Sequence, residues 1–145
     1  YAYAARKFVM NNRRLALIGL ALSLAGFGVG YAMTNSTLFN FCIPDEYACR
    51  ELFNQIGDPL FYAMSALAIV FLALIFFPKA FPYWKKFAVW FIPLAAIIFI
   101  FYEDPASGDL FSPYAAYVFK WVAAVYVVVS LGIIGFVAMR HSSQK

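Results

Sequence analysis

The sequence predicts an all-α integral membrane protein with four transmembrane helices, both termini inside, and a short amphipathic extracytoplasmic helix after the first span. Three observations predict it. The 145-residue chain is 65% hydrophobic and only 12% charged, with a mean hydropathy of +0.78. A water-soluble domain carries about 25% charged residues. The apolar residues also come in runs long enough to cross a hydrocarbon core, which takes about 20 helical residues. The runs are continuous rather than alternating with period two, so they read as helices and not as barrel strands. Charge, finally, is sorted between the two ends of these runs, as shown below. The length suits one domain, a single four-helix unit over residues 1–145.

The first span is "LALIGLALSLAGFGVGYAM", residues 15–33. Its apolar run is longer than the core of a secretory signal, so it reads as a membrane span, although "GYA" at 30–32 has the look of a cleavage site. Gly19 and Ser23 are four apart, as are Gly26 and Gly30. Small residues at this spacing let two helices approach closely, so these four are expected to form a packing seam. Gly26, Gly28 and Gly30 alternate, but no strand precedes them, so they are not a nucleotide-binding turn.

The first outer loop, 34–58, contains both cysteines, Cys42 and Cys49, in "FNFCIPDEYACRELFNQIG". Seven residues along a straight helix separate Cα atoms by about 10.5 Å, whereas a disulfide needs about 4.4–6.8 Å. A bridge therefore requires Cys42 to lie off the helix and fold back on Cys49. Pro44 suits a first helical turn, and Asp45 and Glu46 suit the positive end of the helix dipole. Glu46 and Arg50 stand at i,i+4, and Gly57 is a natural stop. The expectation is a separate helix over 44–56, with Cys49, Leu52, Phe53 and Ile56 on one apolar face.

The second span is residues 59–77 and the third 83–102, joined by a turn stiffened by Pro78 and Pro82. Pro93 falls inside the third and is expected to kink it. A second outer loop, 103–113, leads into the fourth span, 114–139. Gly132 and Gly135 near the end of that span are a second candidate seam. Trp84, Trp90, Tyr83, Tyr102, Tyr114, Tyr117 and Trp121 fall near span ends, as an aromatic belt would.

Nine of the eleven basic residues flank the spans on one side, while all seven acidic residues lie in the two outer loops with only Arg50 for company. By the positive-inside rule both termini are cytoplasmic and the acidic loops face outward. The net charge of +4 is thus a sum over two oppositely charged faces and gives no reason to invoke nucleic acid. The expected setting is a bacterial inner or plasma membrane, with lipid as the immediate partner.

Several chemistries lack their residues. The lone histidine, His141, is in the tail, so neither a bis-histidine haem nor a histidine-rich metal site can form within the spans. No Asp or Glu lies within a span, where a proton-coupled carrier usually keeps one. Lys120 is the one charge inside a span. It can snorkel, bridge to Glu103, Asp104, Asp109 or Asp58, or touch a head group.

Three functions are compatible with these features. The favoured one is a non-catalytic accessory or structural subunit that needs no metal or cofactor. It would pack with other membrane subunits or with copies of itself, and use the stapled outer loop as a docking surface. A membrane thiol–quinone oxidoreductase would use Cys42 and Cys49, but such enzymes carry Cys-x-x-Cys and usually a second pair to relay electrons. Carboxylates around the pair would also raise its thiol pKa rather than lower it. A small oligomeric channel or transporter, with Lys120 and the outer carboxylates at its mouth, is the third.

Overall fold

The computed structural model describes residues 2–43, 45–102 and 113–142, with side chains for 10–43, 45–102 and 113–140. Four helices order the chain: α1 (Ala2–Thr34), α2 (Tyr47–Phe76), α3 (Phe81–Phe101) and α4 (Ala115–Ser142), with a single 3₁₀ turn, Pro78–Ala80, between α2 and α3. No strand occurs among the described residues. All four helices are long and apolar enough to cross a membrane. The chain is therefore a multi-pass membrane protein by length and composition.

α1 and α2 form the tightest pair, antiparallel and in one register along their length. At Gly57 of α2 an added methyl would meet Met33, and at Gly30, Gly26 and Gly19 of α1 it would meet Phe61, Met64 and Phe71. At the far end the Asn12 amide donates to the Pro78 carbonyl at 3.4 Å. The α1 positions Asn12, Ala16, Gly19, Ser23, Gly26 and Gly30 alternate steps of four and three, the spacing of one helix face packed on a neighbour. Asn12, Ala16 and Ser23 are buried, and the Ser23 hydroxyl is satisfied by the Gly19 carbonyl at 2.7 Å. Small side chains throughout this stripe are what allow the backbones so close.

Close backbone packing continues from α2 to α4 and from α4 to α3, while the 3₁₀ turn touches both α1 and α4. The core lies mainly between α2 and α4. Ala66, Val70 and Leu74 of α2 cluster with Ala123, Tyr126 and Ile134 of α4, and Trp84 and Ala88 of α3 close one side. α3 and α4 are antiparallel: Phe99 meets Phe119 at 4.8 Å near one end, and Phe91 meets Tyr126 at 5.4 Å further along. The Tyr102 hydroxyl donates to the Pro113 carbonyl at 2.8 Å and ties the end of α3 to the start of α4. α3 continues through Pro93 to Phe101.

Two expectations need correction. The helix beginning in the first outer loop is not separate from the second span. It starts at Tyr47 and runs unbroken to Phe76, through Gly57 and Pro59. Gly57 does not end a helix; it is buried where α2 passes within contact of the α1 backbone, 2.9 Å from the Thr34 nitrogen to its would-be Cβ. Pro59 costs α2 one hydrogen bond without stopping it. Pro44, expected in the first helical turn, lies outside the described residues. The second correction concerns Trp84, which is buried against Phe71 and Phe81 rather than set in a belt. Tyr83, Trp90, Tyr114, Tyr117 and Trp121 are exposed.

Candidate functional site

At 30 residues α2 is about 45 Å long, against a hydrocarbon core of about 30 Å. If Phe76 marks one boundary, Gly57 marks the other, and residues 47–56 stand about 15 Å clear of the hydrocarbon. This free end of α2 and the loop 35–46 make a cap.

The cap is built from α1 outward. The Asn35 amide donates to the Tyr31 carbonyl at 2.9 Å and extends the end of α1. The loop then coils back, with the Phe41 N–H on the Ser36 carbonyl at 2.8 Å and Ser36 itself buried. Asn40 takes the left-handed conformation, φ 57°, that the turn demands and that Asn tolerates better than most residues. Cys42 and Cys49 are disulfide-bonded with Cα atoms 5.9 Å apart, Cys42 on the loop and Cys49 in the first turn of α2. A run of rings reinforces the staple: Tyr31 meets Phe39 at 6.4 Å, Phe39 stacks on Phe41 at 6.1 Å, and Phe41 stacks on Phe53 at 5.7 Å.

These contacts cover only part of the apolar surface. Leu38 is 71% exposed and Tyr47 72%, and Ile43, Leu52 and Ile56 are also exposed. Of the face read from sequence, Cys49 and Phe53 pack inward while Leu52 and Ile56 do not. Asp45, Glu46 and Glu51 are exposed as well. Arg50 lies 5.8 Å from the centre of the Tyr47 ring, a cation–π contact. The result is a disulfide-stapled cap that leaves both apolar and acidic side chains exposed.

The other candidate residues are placed as follows. Lys120 is exposed on α4. Glu103, Asp104 and Asp109, its candidate partners, lie outside the described residues, and Asp58 is partly buried and already engaged. Lys120 and Arg140 bracket a charge-free stretch of nineteen residues, about 29 Å at 1.5 Å per residue and so close to one hydrocarbon thickness. That places Lys120 at an interface. Lys120→Met is therefore expected to change stability by no more than about 0.5 kcal/mol. A clearly larger drop in a thermal melt would reveal a buried ion pair instead. Gly132 and Gly135 have open space where a Cβ would stand, so none of the described residues packs against them there.

One feature of the core had no counterpart in the sequence reading. Trp84, Tyr126 and Ser130 are buried together between α3 and α4. The Tyr126 hydroxyl faces the Trp84 indole N–H and the Ser130 hydroxyl, yet all three polar atoms fall short of closed hydrogen-bond geometry. The only sequence signal is Tyr126 and Ser130 at i,i+4 in an apolar run. A buried polar atom left without a partner costs about 1–3 kcal/mol. Tyr126→Phe, which removes one of these three atoms, is expected to leave stability unchanged or to raise it by about 1 kcal/mol. Adding Ser130→Ala removes a second and should not lower it. Thermal melts of the single and double variants check this, and a clear loss in Tyr126→Phe would show that its hydroxyl is hydrogen-bonded.

Among the described residues no three His, Cys, Asp or Glu side chains come together as a metal site. No protein-family model matches the chain. No curated protein and no solved structure is significantly similar to it.

Proposed function

We propose that this protein is a non-catalytic accessory subunit of a membrane complex, and that the stapled cap is the surface by which it docks on a partner subunit. The observation that carries this reading is the set of exposed apolar side chains on the cap, whose loop a disulfide and stacked rings tie to α2. Exposed apolar side chains standing outside the bilayer favour an interaction surface, and a preorganised surface loses little entropy on binding. Tyr47 is a suitable anchor, since aromatic residues dominate binding energy at interface centres.

The same reading sets the topology. Both termini are cytoplasmic, the cap is extracytoplasmic, and the membrane is that of an oxidising compartment such as the bacterial periplasm borders, where a disulfide persists. Burial of Cys42, 6% exposed, favours a structural bond over a thiol pair that must meet a substrate.

The test is native mass spectrometry of the gently solubilised protein from its own host, with a photo-crosslinking side chain at Leu38 or Tyr47. The expected result is a stoichiometric complex with a larger membrane subunit, crosslinked through the cap. A bare monomer, or crosslinks to lipid alone, would overturn the docking role.

A further inference from the structure

We propose that the cationic end of the helical unit holds the phosphate of an anionic phospholipid between Arg13 and Lys79. The fold, not the sequence alone, brings their two stretches of chain together. The Asn12 amide donates to the Pro78 carbonyl at 3.4 Å, and Arg13 and Lys79 are the next residues along from the two partners. The 3₁₀ turn that carries Lys79 is in turn seated between α1 and α4. Both cations are exposed, as are Arg14, Lys85, Lys86 and Arg140 at the same end. Among the described residues the acidic ones, Asp45, Glu46, Glu51 and Asp58, all lie at the opposite end, so none of them neutralises this cluster.

An anion is therefore the natural counter-charge. The neighbouring surface says which kind. Leu15, Phe76 and Phe77, which adjoin the cluster along the chain, are exposed apolar residues. A ligand that meets cations and apolar side chains at one height must carry a charged head and a hydrocarbon tail. Arg can grip a phosphate through two parallel N–H bonds and Lys adds a point charge, a combination that fits a phosphodiester. A soluble anion would use the charges and leave the apolar half unmatched. This inference rests on neither the orientation in the membrane nor the role of the cap.

The experiment uses the full chain, stripped of lipid in mild detergent and titrated by native mass spectrometry with phosphatidylglycerol or phosphatidylcholine of identical acyl chains. One phosphatidylglycerol should be retained in preference to phosphatidylcholine. Arg13→Gln with Lys79→Gln should weaken that binding about thirtyfold, from about one basic residue's worth of surface attraction each, and leave phosphatidylcholine unaffected. The charge-conserving pair Arg13→Lys with Lys79→Arg should retain it, and circular-dichroism melts would confirm that every variant is folded. Three outcomes would overturn the proposal. The two lipids could bind equally. Lys85→Gln with Lys86→Gln could cost as much, which would mean a diffuse field rather than a site. Inorganic phosphate at millimolar concentration could stabilise the protein as well as the lipid does, which would make the ligand a free anion.

Discussion

Gly30→Ala is expected to unseat α1 from α2, and Gly30→Val to do so more severely. A Cβ at position 30 would stand 2.7 Å from the backbone nitrogen of Phe61 and 2.9 Å from its Cα. Neither atom can swing away as a side-chain terminus can, so the two helices must separate. Separation is felt along the whole seam, because the register is continuous from Met33 at one end to Asn12 at the other. Overpacking of a well-filled core costs about 1–3 kcal/mol, occasionally more, and the backbone clash puts this case at the upper end. The neighbouring glycines grade the effect. At Gly26 the obstacle is the Met64 side chain, 2.8 Å away but flexible, so Gly26→Ala should cost less. At Gly132 nothing lies within 4 Å, and Gly132→Ala should leave the isolated chain unharmed or slightly steadier through better helix propensity. Thermal melts in detergent of the three alanine variants check the order. If Gly30→Ala melted with the wild type, the close approach of α1 and α2 would be wrong.

That gradation also separates what could be read in the sequence from what could not. The four spans were legible because a 20-residue apolar run has few other uses in a folded chain. Gly19, Ser23, Gly26 and Gly30 were legible as small residues four apart, but nothing local named α2 as their neighbour. Asn12 and Ala16 complete the same stripe, yet Asn12 lies among charges and looks like part of a solvated flank. Gly57 misled for a physical reason. A glycine can end a helix by adopting a left-handed conformation or serve it by letting another backbone close in, and the following Asp58 and Pro59 favoured the first reading. The structure uses the second. Trp84 has the spacing of an interfacial tryptophan and is buried only because Phe71, thirteen residues earlier, and Phe81 lie against it. Its polar neighbours Tyr126 and Ser130 come from another helix, a juxtaposition no periodicity encodes. In the cap, cysteine spacing correctly required Cys42 to fold back, because a straight helix cannot bring the two sulfurs together. How much apolar surface the cap would leave uncovered depended on where α2 emerged, and that was not visible in the sequence.

Replacement of both cysteines, Cys42→Ser with Cys49→Ser, is expected to loosen the cap while sparing the membrane-embedded core. The bond closes a short loop with a sequence separation of 7, for which chain entropy gives about 2.5 kcal/mol. Little else ties the loop down. The Phe41–Phe53 stack and the turn bonds from Ser36 are its main remaining contacts, and Leu38, Phe39, Phe41 and Ile43 are all exposed. The core of Ala66, Val70 and Leu74 against α4 shares none of these contacts. Local opening should therefore become easier without global unfolding. In hydrogen exchange, amides of residues 47–53 should exchange up to about sixtyfold faster, the ratio that corresponds to the lost entropy, while those of 66–74 stay unchanged. An unchanged cap would mean that the ring stack alone holds it, and equal acceleration in both segments would mean that cap and core unfold as one unit. The same variant bears on the docking role. A floppy cap still presents Leu38 and Tyr47, but must order them on binding, so the partner should dissociate more readily even though every anchoring side chain is intact.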